Sequence, residues 1–182
     1  MQEKVLSKVL PITLVNQMKI LIFAGLSILS FTIPFAFGHP QWLVGTVVNA
    51  CLFLGAYFLP TKYYAPLIIF PSLGVLGRGI IFGPFTSFLI YFLPFIWLGN
   101  LILVLLFKDC TKRAGFLISV VVASFAKYFF LAKIAEIYFN FSLVPKIFLT
   151  SMGAIQLTTA LAGGVIAFVI FSTYRKARRS SY

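Results

Sequence analysis

Apolar residues run along this chain in stretches of roughly 20, each long enough to cross a ~30 Å hydrocarbon core. Proline, glycine and charged residues mark where one stretch ends and the next begins. The pattern predicts six spans, at about 18–37, 41–60, 64–82, 84–107, 114–138 and 147–172. The predicted connections are GHP, PTKYY, a short glycine-rich turn near FGP, KDCTKR and NFSLVPK. Pro66, Pro71, Gly74, Gly77 and Gly79 interrupt the third span, which is therefore expected to be broken or partly re-entrant. Such backbone is tolerated at membrane depth only where protein or a cavity covers it. Before the first span, residues 1–17 scatter Lys4 and Lys8 among apolar positions ahead of Pro11, the pattern of a short amphipathic interfacial segment. The run from Met18 to Phe37 is long and is followed by further spans, so it reads as an uncleaved first helix rather than a signal peptide.

Composition leads to the same class. Of 182 residues, 61% are hydrophobic and only 10% are charged, and the mean hydropathy is +1.05. A soluble domain of this size has too little interior to hide so much apolar surface. The expectation is one membrane domain over residues 1–182, an all-α integral membrane protein built as a bundle of six transmembrane helices.

The net charge of +12 raises nucleic acid as a partner, but the basic residues lie mostly at the ends of apolar runs and no soluble basic face is present. Their distribution instead sets an orientation. With the N-terminus inside, the inner segments carry Lys4, Lys8, Lys19, Lys62, Lys108, Lys112, Arg113, Arg175, Lys176, Arg178 and Arg179. Arg78, Lys127, Lys133 and Lys146 are left for the outer side and membrane depths. The positive-inside rule then predicts a multi-pass protein of the cell membrane with both termini cytoplasmic. The basic tail at 173–182 acts as a stop-transfer anchor and offers contact with anionic lipid. Cys51 lies in a span and Cys110 in KDCTKR, a packed thiol and a reduced cytoplasmic one, with neither a disulfide nor a metal site indicated. His39, the one histidine, belongs to the turn FGHPQW, and no metal or other cofactor is expected.

Polar groups at membrane depth are costly, so each needs a reason. Asn49 shares a helix face with Trp42 and Gly45, Asn100 follows Trp97 by one turn, and Gln156 lines up with Gly153, Ala160 and Gly163. Arg78 sits in the glycine-broken third span, where snorkelling to the boundary is its simplest role. Lys127 lies in VVVASFAKYFFL with Ser124 beneath it, roughly 14 residues and about 20 Å into its span. Reaching water from there takes an aqueous pocket or a long snorkel. The amides also have a plainer reading as interhelical hydrogen-bonding residues, worth about 0.6 kcal/mol each. Lys133 and Glu136, three apart near the outer helix end, are placed to pair with each other.

With one histidine and three acids, the chain lacks the groups of a membrane protease, of a metal-dependent phosphotransferase and of a proton-coupled carrier. Binding without catalysis is the expectation. Small residues at Ala24, Gly25 and Ser27, and again at Ala160, Gly163, Gly164 and Ala167, permit close helix approach, for internal packing or for docking another membrane subunit.

Four segments, FGHPQWLVGTVVNACLFLGAYF, PFIWLGNLILVLLF, VVVASFAKYFFLAK and SMGAIQLTTALAGGVIAFVI, resemble the substrate-specific S component of energy-coupling factor (ECF) transporters. The likeness is to an uncharacterised group of small bacterial membrane proteins. The resemblance implies a six-helix bundle with a small-molecule pocket near the outer face. It also implies partners in micronutrient or vitamin uptake, namely a transmembrane coupling subunit and two cytoplasmic ATPases. It places a coupling surface on the first helix, where Ala24, Gly25 and Ser27 are the nearest equivalent, in a different spacing.

Together these readings predict that Asn49, Trp97, Asn100, Lys127 and Gln156 converge on one substrate-binding pocket with Arg78 at its rim. An acid-free site holding cations favours a carboxylate- or phosphate-bearing ligand, oriented by the amides against an aromatic wall. Two other classes stay open: a structural or assembly membrane protein whose polar residues only join helices, and, less favoured, an enzyme acting on lipid.

Overall fold

A computed structural model describes residues 12–37, 39–78 and 87–180, with the side chains of residues 12, 13 and 178–180 excepted. Every regular element among them is helical: α1 (Ile12–Ala36), α2 (Gln41–Phe58), a 3-10 turn (Thr61–Tyr63), α3 (Tyr64–Arg78), α4 (Leu89–Ala114), α5 (Phe116–Asn140), α6 (Ile147–Met152) and α7 (Ala154–Ser180). Five helical segments are long and apolar enough to cross a membrane: α1, α2, α4, α5 and the joined α6–α7.

The third predicted span is the exception. α3 has 15 residues, about 22 Å at 1.5 Å per residue, and is short of a full crossing. It is nevertheless continuous through Pro71 as far as Arg78, rather than broken there. Its register on α1 is plain: Tyr63 packs on Phe23 with ring centroids 4.8 Å apart, and Arg78 donates to the carbonyls of Phe35 and Ala36. α3 therefore runs parallel to the second half of α1, and the first turns of α1 project beyond it.

Other boundaries also differ from expectation. α1 begins at Ile12, so the last part of the predicted interfacial segment is already helix, and residues 1–11 lie outside the described residues. The loop predicted at KDCTKR is the last part of α4, where Asp109 pairs with Lys112 and Arg113 at i+3 and i+4, each at 3.5 Å. The two bases in the last turn also suit the negative end of the helix dipole. Gly115, at φ +81°, supplies the left-handed residue that turns the chain into α5. The sixth predicted span is divided at Gly153 into α6 and α7, and α7 absorbs most of the basic tail. The predicted turn near FGP lies outside the described residues.

α2 is the central helix, with 61% of its span buried against 22–33% for the other four. α1, α3, α4 and α7 surround it, and α5 closes the ring by packing on α4 and α7. Glycine sets the tightest contact. A Cβ on Gly163 would stand 2.6 Å from the Thr46 carbonyl oxygen and 2.7 Å from the Ala50 nitrogen, so α7 crosses α2 at backbone distance.

Two apolar clusters fill the bundle. One, at the Lys62 and Arg113 end, stacks Phe107, Phe116 and Phe171 around Phe53 and Tyr57. The other, at the opposite end, centres on Phe92 and Phe148, whose rings stack 5.1 Å apart.

Candidate functional site

Between the two clusters lies a cavity of about 100 Å³, walled by α1, α2, α3, α4, α5, α6 and α7. It occupies the half of the bundle away from Lys62, Lys108, Lys112 and Arg113, because its walls come from the start of α2 and α4 and the end of α1 and α3. Apolar surface from Val44, Val48, Leu89 and Met152 faces polar groups from Asn49, Asn100, Lys127 and Gln156. These four residues, predicted to converge, are brought to one cavity by four different helices.

Lys127 is central to it. The residue is 3% exposed in the middle of α5, with its ammonium directed across the bundle onto Asn49 Oδ1 at 2.8 Å. Asn49, 1% exposed, uses its amide nitrogen on the Gly45 carbonyl at 2.8 Å and on Thr159 Oγ1 at 3.3 Å. Thr159 in turn donates to the Ile155 carbonyl at 2.7 Å. This chain of donors leaves the Asn49 oxygen free to face the cation, which fixes the amide orientation chemically. A polar relay thus joins α5, α2 and α7 at the level where Gly163 lets α7 touch α2.

No carboxylate among the described residues answers the ammonium. Asp109 pairs with Lys112 and Arg113, and Glu136 accepts from Lys133 at 2.7 Å, both on exposed surfaces. Glu3, the remaining acid, lies outside the described residues. A charge held here only by a neutral amide would keep much of its desolvation cost.

Asn100 contributes a second unmet group. It is 2% exposed, and its amide nitrogen donates to the Ile68 carbonyl at 3.2 Å. Since a carbonyl only accepts, the nitrogen must face Ile68, and Asn100 Oδ1 is left buried without a protein partner. Ser124 Oγ, one turn below Lys127, is likewise buried and unpartnered.

Two predicted pocket residues are elsewhere. Trp97 lies behind the cavity wall, where its indole nitrogen donates to Ser72 Oγ at 2.7 Å; it steadies a wall residue rather than forming the wall. Arg78 does not line the cavity, because its guanidinium is engaged by the last carbonyls of α1 on the protein surface. Trp42, which shares the Asn49 face by helical spacing, is 59% exposed: in the first turn of α2 it stands clear of the neighbouring helices. Of the predicted docking residues, Gly25 is exposed with open space around it, Ala24 is half-buried, and Ser27 turns into the bundle. They do not share one outward strip.

Sequence reading missed Thr159, Ser72 and Gln41. Thr159 follows Gln156 at helical spacing, and Ser72 follows a proline inside an apolar run, so both carried a signal. Gln41 sits at the first residue of α2, where polarity looks like an ordinary helix end. Compared with known proteins, the chain matches no protein-family model, no curated protein and no solved structure.

Proposed function

We propose that this protein is the substrate-binding membrane subunit of an importer of the ECF type, capturing a small anionic, carboxylate-bearing metabolite from the outer side. It performs no chemistry of its own. On this reading it is a six-helix bundle in the cell membrane with both termini cytoplasmic, and it works with a transmembrane coupling subunit and cytoplasmic ATPases. The partners rest on the resemblance of its four segments to S components. Anion capture rests on one observation: Lys127 is buried beside a cavity with an amide oxygen, and no carboxylate, as its partner among the described residues.

A carboxylate entering the cavity gains a charge-assisted hydrogen bond from Lys127 in a low-dielectric site. Val44, Val48 and Met152 supply apolar contact and exclude water. The position of the cavity, in the half away from the basic helix ends, suits loading from outside under the positive-inside rule.

The purified protein in detergent should be stabilised against thermal unfolding by small carboxylates, and Lys127→Met should abolish the shift while remaining folded. If a broad set of organic anions leaves the melting temperature unmoved, capture is the wrong function.

A second reading has its own support. The relay from Lys127 through Asn49 to Thr159 ties three helices together, as the polar residues of a structural membrane protein do. In that case Lys127→Met and Asn49→Ala lower stability, and no anion raises it.

A further inference from the structure

We infer that a groove between α3 and α4 binds one anionic phospholipid, with its phosphate at Lys108 and an acyl chain along the helix pair. The groove shares no lining residue with the cavity, and the inference stands or falls apart from the capture proposal.

The groove follows from helical spacing. Along α4, Pro94, Leu98, Leu101 and Leu105 recur at steps of four, three and four, which places them on one face. The next step of three reaches Lys108, so the apolar stripe ends in a cation on the same face. α3 runs antiparallel beside it: Trp97 donates to Ser72, Asn100 to the Ile68 carbonyl, and Lys108 lies over the Tyr64 ring. Where Thr61 and Ala65 present small side chains to the α4 leucines, the two helices leave a groove of about 550 Å³. Tyr64 and Ile68 are buried and form its floor, while Ala65, Leu98, Leu101 and Leu105 are exposed along its sides.

Its length and its charge both match one lipid. From Pro94 to Leu105 the stripe rises about 16 Å at 1.5 Å per residue. That is one leaflet of a ~30 Å hydrocarbon core, so Lys108 falls at the level of the headgroups. The Lys108 ammonium stands 5.0 Å from the centroid of the Tyr64 ring, which holds it at the mouth of the groove without using its N–H donors. Among the described residues no carboxylate pairs with it, because the adjacent Asp109 is engaged by Lys112 and Arg113. The exposed Thr61 residue at the same end adds a hydroxyl. A phosphodiester at this depth gains a charge-assisted hydrogen bond from Lys108, and the chain below it covers the leucines. Lys62 leans instead on Tyr63, whose ring packs on Phe23 of α1.

A transmembrane helix of a partner fits the groove less well. It would need a continuous face about 30 Å long, whereas this groove ends after one leaflet, and it would have to bring its own anion to Lys108. The basic ends of the helices also mark this leaflet as the cytoplasmic one under the positive-inside rule, the side on which anionic lipid gives the surface its negative potential.

Trp97 lines the groove and reports on its occupant. The test uses the full-length protein carrying Trp42→Phe, which leaves Trp97 as its one tryptophan, in phosphatidylcholine vesicles. Phosphatidylglycerol or phosphatidylcholine with brominated chains is then added in increasing proportion, and quenching of Trp97 gives their relative affinities. Phosphatidylglycerol should be preferred about fivefold, the worth of one lysine at an anionic headgroup. Lys108→Gln should abolish that preference while both lipids still quench. Lys176→Gln, which removes the same charge from the basic end without touching the groove, should keep it. Ala65→Phe should fill the groove and weaken quenching by both lipids. Equal affinity for the two lipids overturns the inference, as does an equal loss of preference in Lys108→Gln and Lys176→Gln, which would mean a diffuse surface potential. Absence of quenching by either lipid overturns it too, and would mean that a second copy or a partner helix covers the groove.

Discussion

At the scale of single residues, the buried cation and the exposed one do different work. Lys127 projects its ammonium inward from mid-helix onto an amide, whereas Arg78 sits at the end of α3 and holds the carbonyls that α1 leaves unpaired at its C-terminus. Positive charge at that end also complements the helix dipole. Arg78→Ala should therefore cost no more than about 1 kcal/mol of stability, since the group is exposed and screened. It should leave carboxylate affinity within about twofold of the parent, as measured by titration of both proteins. A loss of affinity beyond tenfold would restore Arg78 to the binding site. Sequence alone could not separate these roles, because an isolated arginine in a broken apolar run carries no sign of what it touches. Lys127 was legible for the opposite reason: its depth in an uninterrupted run left it no short route to water.

At the scale of elements, the apolar periodicity located the long helices but not where they stop. α4 outruns its predicted end because Lys112 and Arg113 are good helix formers and Asp109 pairs with both, although a run of charge suggests a loop. α6 and α7 part at Gly153, with backbone angles outside the helical region, although the joined segment Ile147–Ala177 as a whole is as apolar as the other spans. The α2–α7 crossing is legible only in part: small residues at Ala160, Gly163 and Gly164 signalled close approach, but not to which helix. The structure assigns that contact and makes it testable. Gly163→Ala forces a methyl group against the Thr46 oxygen and the Ala50 nitrogen and should destabilise by about 1–3 kcal/mol. Thermal unfolding should shift by roughly 2–4 °C for each kcal/mol lost. Gly25→Ala, with nothing within 4 Å of the added carbon, should shift it by less than about 1 °C from that cause and serves as the control. Equal effects of the two substitutions would mean that α7 does not lie on α2 as described.

At the scale of the whole molecule, the short α3 matters less for topology than its length suggests. Its start is level with Phe23 and its end with Ala36, so it returns the chain to the end of the bundle where α1 finished. α4 can then begin on that side and end at the basic cluster around Arg113. The loops near residues 39, 141 and 146 gather at one end, and Lys62, Lys108, Lys112, Arg113, Arg175 and Lys176 at the other. Such asymmetry is what the positive-inside rule acts on. The native thiols offer a direct probe, because Cys51 is buried whereas Cys110 is half-exposed beside the basic cluster. Ser142, exposed in the turn after α5, marks the other end. A membrane-impermeant maleimide should label Ser142→Cys in intact cells and reach Cys110 only after permeabilisation. The Cys110→Ala background then assigns the signal of each thiol. The reverse labelling pattern would put the cavity in the inner half and remove outside capture, whatever the cavity binds. Labelling of both sites in intact cells would mean that α5 does not separate them across a membrane, because they lie near the opposite ends of that one helix.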